Sequence, residues 1–130
     1  MPSLGLIPIN CFACCNEIII PVQSQYLTVR GMTYLFEIVS RVRKSINPNL
    51  KIKGILLTLV DRRTKLSKMV KNELIENYGK YIKIYDTEIP TAVKIAEAPI
   101  KGKSIFEYDK NGTVAKAYKD FVEEVLADEK

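Results

Sequence analysis

Three short runs of aliphatic, largely β-branched residues constrain this chain more than any other feature. Residues 17–23 read Glu-Ile-Ile-Ile-Pro-Val-Gln and residues 52–60 read Ile-Lys-Gly-Ile-Leu-Leu-Thr-Leu-Val. Residues 81–86, Tyr-Ile-Lys-Ile-Tyr-Asp, are a weaker third. Continuous runs of this kind are what strands buried on both faces look like. Between them the apolar period changes. Met32, Leu35, Ile38, Val39, Val42 and Ile46 recur at three and four and mark one helix face, which Asn47-Pro48 ends. Leu66, Met69, Val70, Leu74 and Tyr78 mark a second helix, with Gly79 placed as its C-terminal cap. A last helix follows Gly112, carried by Val114, Ala117, Tyr118, Phe121, Val122 and Val125. A first covers about 4–15, where Pro8 is tolerable only near the opening turn.

Strands alternating with helices imply β–α–β units, so the fold class is α/β: a parallel sheet of about three strands with helices on both faces. The 130 residues are one domain's worth of chain and enough to bury a core. The stretch 87–112, with Pro90, Pro99, Gly102 and Gly112, reads as the one long loop. It leaves a strand's C-terminal end, the rim at which open α/β sheets bind ligands.

The net charge of +5 is unevenly spread. Residues 41–80 hold eleven Lys/Arg against three acids, a balance of +8, so the remainder sums to −3. A basic middle suits a polyanion. Arg62 and Arg63 follow the central run directly and belong at the sheet's C-terminal rim. Lys65 and Lys68 open the next helix and extend the same patch. Lys94 lies in the loop that leaves the neighbouring strand.

Several chemistries drop out. The chain has no histidine, so a Ser-His or Cys-His nucleophile pair is impossible, and no catalytic residue is assigned. Cys11, Cys14 and Cys15 lack the further ligands that a zinc site needs and read as core filler on one helix face. Clustered and odd in number, they suggest no disulfide framework. No apolar run is long enough to span a membrane and no basic n-region opens the chain, so the expectation is a cytoplasmic protein. The acidic tail, with Glu123, Glu124, Asp128 and Glu129, reads as solvated surface and speaks against a membrane-binding helix.

Four segments, in this order, resemble the ParA/Soj family of deviant-Walker P-loop partitioning ATPases. They are Pro2-Ser3-Leu4-Gly5-Leu6; Ile20-Pro21-Val22-Gln23-Ser24-Gln25-Tyr26 followed by Gly31; Gly54-Ile55-Leu56-Leu57-Thr58-Leu59-Val60-Asp61 running into Arg63-Thr64-Lys65-Leu66-Ser67; and Ile89-Pro90 with Glu97-Ala98-Pro99, Gly102-Lys103 and Tyr108-Asp109. Each is weak alone; their order and spacing make the match. It covers the second half of the family's domain, with Met1 where the first Pro of a Pro-Pro pair would stand. The phosphate-binding loop and the Walker B Asp belong to the other half. Gly102-Lys103-Ser104 only looks like the end of such a loop, because Glu97 occupies the place of its first Gly, Pro99 interrupts it and no helix pattern follows Ser104.

The resemblance implies ATP and Mg²⁺ as cofactors of the full-length family, and no cofactor or turnover for this chain by itself. It implies a partial adenine pocket at Thr58, Pro90 and Thr91, although the family's Pro-Arg-Asn reads Pro90-Thr91-Ala92 here and loses two polar side chains. It implies nonspecific DNA binding led by Arg63 and Lys94, with Arg62, Lys65 and Lys68 adding to the field, and a ParB-like partner protein. The 17–22 strand would lose its neighbour, so a bare edge is expected to drive dimerisation or to be covered by the first helix. Three readings stay open: a truncated DNA- or partner-binding relative, a portion of a working ATPase, or a dimerising structural module.

Overall fold

In a computed structural model the described residues are 5–24 and 29–129. The elements run α1 (Leu6–Cys14), β1 (Glu17–Gln23), α2 (Val29–Ser45), β2 (Lys51–Val60), α3 (Lys65–Tyr78), β3 (Ile84–Pro90), α4 (Val93–Ile100), α5 (Ile105–Tyr108) and α6 (Thr113–Asp128). Pro2 to Leu4, and Gln25 and Tyr26, which the sequence reading used, lie outside the described residues. The strands form one parallel sheet in the order β1-β2-β3. The α/β expectation therefore holds.

Side-chain alternation in the central strand builds two layers. Ile55 and Leu57 point to one face, where Met32 of α2 and Val70 and Leu74 of α3 meet them with Ile20 and Val22 of β1. Leu56 points to the other face and packs with Tyr85, Ile89, and Val114 and Ala117 of α6. That double burial is why Ile55 to Leu57 reads as an unbroken apolar run. A third cluster joins α1 to α2: Val39, Val42 and Leu50 carry Ile9, Phe12 and Cys15. Asn47 ends α2 and turns its amide Nδ2 onto the carbonyls of Phe12 (3.0 Å) and Cys15 (2.8 Å), satisfying acceptors at the end of α1.

Several expectations are corrected. The 17–23 strand is covered on one face only. Ile20 and Val22 are buried, whereas Ile19 and Pro21 are exposed because no described element covers that side of the edge strand. The third strand begins at Ile84, not at 81, because the carbonyl of Tyr78 accepts from the N–H groups of Tyr81 and Ile82 and winds the chain past Gly79. Gly79 is the C-cap, but in the right-handed region (φ −61°). The stretch 87–112 is not a loop. It completes β3 and then forms α4 and α5. Pro99 sits in the last turn of α4, and Gly102 stops that helix with φ +65°. Ser104, which no helix pattern follows in the sequence, is the N-cap of α5; its Oγ accepts from the N–H of Glu107 (3.2 Å).

Of the three cysteines only Cys15 packs against the core. Cys11 and Cys14 are exposed and Cys15 is half-buried, because α1 rests on α2 through Ile9 and Phe12. Nor is the acidic tail merely solvated. The two Glu124 carboxylate oxygens accept from the N–H groups of Asp86 (2.8 Å) and Thr87 (3.0 Å). Asp128 pairs with Lys83, and Glu129 with Lys53, which also holds Glu17 at 2.9 Å. These contacts tie the end of α6 to all three strands.

Candidate nucleic-acid interface

The C-terminal end of β2 carries the strongest backbone irregularity among the described residues. Leu59 has φ +51°, and the β2–β3 register shifts between Leu57 and Val60. A leucine in the left-handed region costs about 1–3 kcal/mol unless its surroundings hold it. A buried hydroxyl chain does so. Ser24, at the end of β1 and fully buried, donates its Oγ–H to the Leu59 carbonyl (3.0 Å), and its N–H donates to the Thr58 carbonyl (3.1 Å). Ser67 of α3 donates to Ser24 Oγ (3.1 Å), and Thr64 Oγ1 lies 3.3 Å from Ser67 Oγ. The start of α3 is thereby locked to the ends of β1 and β2.

That lock sets the position of the basic residues. Arg62, Lys65 and Lys68 are exposed around the start of α3, and no ion pair engages any of them among the described residues. The first turn of α3 contains no acid, and Thr64 at the N-cap makes no side-chain cap bond, donating instead to the Asp61 carbonyl (3.0 Å). The helix dipole and the cations thus add at one place.

Arg63 and Lys94 are held differently. Arg63 folds back on Asp61, with Nε 3.1 Å and its own backbone N 3.0 Å from Oδ1. This side-chain hydrogen bond keeps the Asp61 carboxyl below its ordinary range and raises Arg63 in turn. Lys94, in the first turn of α4, lies 3.1 Å from Asp109. Each carries positive charge to the surface with a carboxylate beside it.

Two cavities flank Arg62. One, about 460 Å³, lies between α3 and β3 and brings Arg62, Lys68 and Lys71 together with Thr64, Asp86 and Glu88. The other, about 310 Å³, runs toward α6 and includes Pro90, Lys116 and Asp120. Of the three adenine-pocket positions, Pro90 lines the second of these cavities with Arg62. Thr58 Oγ1 lies 3.4 Å from the Val22 carbonyl, and exposed Thr91 donates its N–H to the Val60 carbonyl. The sequence reading missed Lys71 and Lys116 as rim cations. Lys71 follows Lys68 by three residues on one helix, a spacing that could have signalled it; Lys116 reaches the rim only through tertiary packing.

No group of three or more Cys, Asp or Glu among the described residues is arranged to hold a metal ion. No described helix is long and apolar enough to cross a membrane.

Comparison with known proteins gives a consistent picture. A family model described as an AAA domain matches residues 1–52. The sporulation initiation inhibitor protein Soj of Bacillus subtilis is 41% identical over 128 residues, 97% of this chain and 49% of its own length. The chromosome partitioning protein ParA of Caulobacter vibrioides is 35% identical over 129 residues, 99% of this chain and 48% of its own. The chain thus spans about half the length of the curated relatives it matches, their C-terminal half. Among solved structures, cobyrinic acid a,c-diamide synthase from Mycobacterium smegmatis with bound ADP and magnesium superimposes with a TM-score of 0.76 at 27% identity. That match covers 96% of this chain and 43% of the synthase.

Proposed function

Because the chain belongs to the ParA/Soj family, matching the C-terminal half of its members, we propose that it supplies a DNA-contacting surface and does not turn over ATP by itself. The observation that carries this reading is the rim at the start of α3, where Arg62, Lys65 and Lys68 stand with no carboxylate paired to them among the described residues. Arg63 and Lys94 are exposed and add positive charge, each beside a carboxylate. Lysine and arginine there suit phosphate contacts, which position a duplex without reading its sequence.

The family implies a magnesium nucleotide, and the residues of this chain do not fit one. The sequence contains no Gly-x4-Gly-Lys-Ser/Thr. The Thr58 hydroxyl faces the Val22 carbonyl, and the adenine position after Pro90 carries Thr91-Ala92. Accordingly no step of nucleotide chemistry is assigned to these residues. Magnesium-dependent ATP turnover by the pure protein would overturn this half of the proposal.

The DNA half is tested by duplex retention against salt. Released counterions make log K fall linearly with log salt, at about 0.9 per phosphate contact, and equally for unrelated duplexes. No retention at low salt ends the DNA reading.

A second reading is favoured by β1. Its outer edge is unpaired among the described residues and Ile19 is exposed. An apolar open edge pairs with further chain. The covering chain is a second copy of this one, making a homodimer, or the nucleotide-binding half of a working ATPase. Light scattering on this chain separates them: a dimer supports the first, a monomer the second.

A further inference from the structure

The larger cavity beside Arg62 is more than a stretch of basic surface. It is a recess of about 460 Å³ with three cations converging from α3 and the turn before it, Arg62, Lys68 and Lys71. Opposite them, Asp86 and Glu88 project from β3 on the side that α3 covers. Thr64 and Ser67 complete the polar lining. Lys71 and Glu88 are joined across the recess at 2.8 Å, and both side chains are half-buried. Arg62 and Lys68 have no such partner among the described residues. The lining therefore carries a balance of +1, and one of its three cations is already neutralised from within the protein.

We propose that this recess seats a single phosphate group, bound by Arg62, Lys68 and the start of α3, and that Glu88 is an internal competitor which the phosphate displaces from Lys71. The proposal rests on the DNA reading for its natural ligand, a phosphodiester of the duplex backbone. A free phosphate presents the same chemistry, and the experiment separates the two.

The sign of the Glu88 effect distinguishes a built seat from a diffuse basic face. On a diffuse face, removing one distant carboxylate changes little. In the recess, Glu88→Gln frees the Lys71 ammonium for the ligand, and Lys71→Gln removes it while keeping most of the stem. The competition predicts opposite shifts.

Duplex DNA retention is measured across a salt series for the wild type, Glu88→Gln, Lys71→Gln and Lys68→Gln, with thermal melts confirming that each variant folds. Lys68→Gln flattens the salt slope by roughly one, the loss of one phosphate contact. Glu88→Gln steepens it, by up to about one, and tightens binding at every salt concentration. Lys71→Gln cancels that gain when combined with Glu88→Gln. In a second arm, inorganic pyrophosphate is titrated against the melting temperature, where bound ligand stabilises by mass action. The temperature rises with pyrophosphate and rises further in Glu88→Gln. Wild-type DNA binding with no change in Glu88→Gln or Lys71→Gln overturns the seat and leaves the DNA reading standing. A pyrophosphate response enhanced in Glu88→Gln without any DNA binding keeps the seat for free phosphate and ends the DNA reading. Silence in both arms overturns both.

Discussion

Gly54 lies directly beneath the ring of Tyr85: a Cβ added there would stand 2.6 Å from Tyr85 Cε2 and 3.0 Å from the carbonyl oxygen of Lys83. Tyr85 is fully buried and meets Phe121 edge-on at 5.0 Å, so its ring has nowhere to go. Gly54→Ala is therefore expected to destabilise the fold by about 1–3 kcal/mol, the usual cost of overpacking a close-packed core. Urea unfolding measures it; an unchanged midpoint would show that the ring yields.

The Tyr85 hydroxyl is the one buried side-chain polar atom without a hydrogen-bond partner among the described residues. An orphaned buried group of this kind costs about 1–3 kcal/mol. Tyr85→Phe removes it and keeps the ring packing. The variant is expected to match or exceed the wild type in thermal stability. A clear fall in melting temperature would mean that the hydroxyl has a partner in solution.

Glu124 gives an acid-side prediction. Burial alone pushes its carboxyl up, but the N–H groups of Asp86 and Thr87, with Lys83 nearby, outweigh that and hold it below the ordinary glutamate value. The folded value lies below that of the unfolded chain, where a glutamate titrates at about 4.3. Its contribution is therefore present above that range and fades as pH falls through the folded value. Glu124→Gln is expected to cost about 1–3 kcal/mol at neutral pH. Its stability should also decline less than the wild type's on acidification below about pH 4.5. Parallel melts across the acid range check both.

The rim residues are expected to contribute unequally to DNA binding. Arg63 and Lys94 are each ion-paired, with Asp61 and Asp109 at 3.1 Å, whereas no ion pair engages Arg62 or Lys68 among the described residues. A double Arg62→Ala, Lys68→Ala variant should flatten the salt slope by roughly two. Arg63→Ala with Lys94→Ala should flatten it by less, because Asp61 and Asp109 already neutralise those two cations in part, so they release fewer counterions on binding. The reverse order would place the contact surface toward α4 instead.

Much of this architecture was legible in the chain. The β2 run from Ile55 to Leu57 is apolar without interruption because helices cover both sides of it, and period-four stripes located α2, α3 and α6 because each buries one face. The basic middle was equally plain, and four ordered segments carried the family. Local patterning reports burial, and these features are set by burial.

Tertiary structure alone decided the rest. Asp86, Thr87 and Glu88 interrupt the apolar pattern of the third strand: Asp86 is exposed, Lys71 pairs with Glu88, and Glu124 takes the backbone N–H groups of Asp86 and Thr87, partners distant in sequence. The same is true of the rim. Sequence placed Arg62 and Arg63 side by side, but folding turns Arg63 back onto Asp61 and sets Arg62 between two cavities. It locks Ser24, Leu59 and Ser67 together and brings Lys71 against Glu88. Which charge is neutralised and which is left for a ligand depends on distances of a few ångströms between residues far apart in the chain, and only packing sets those distances.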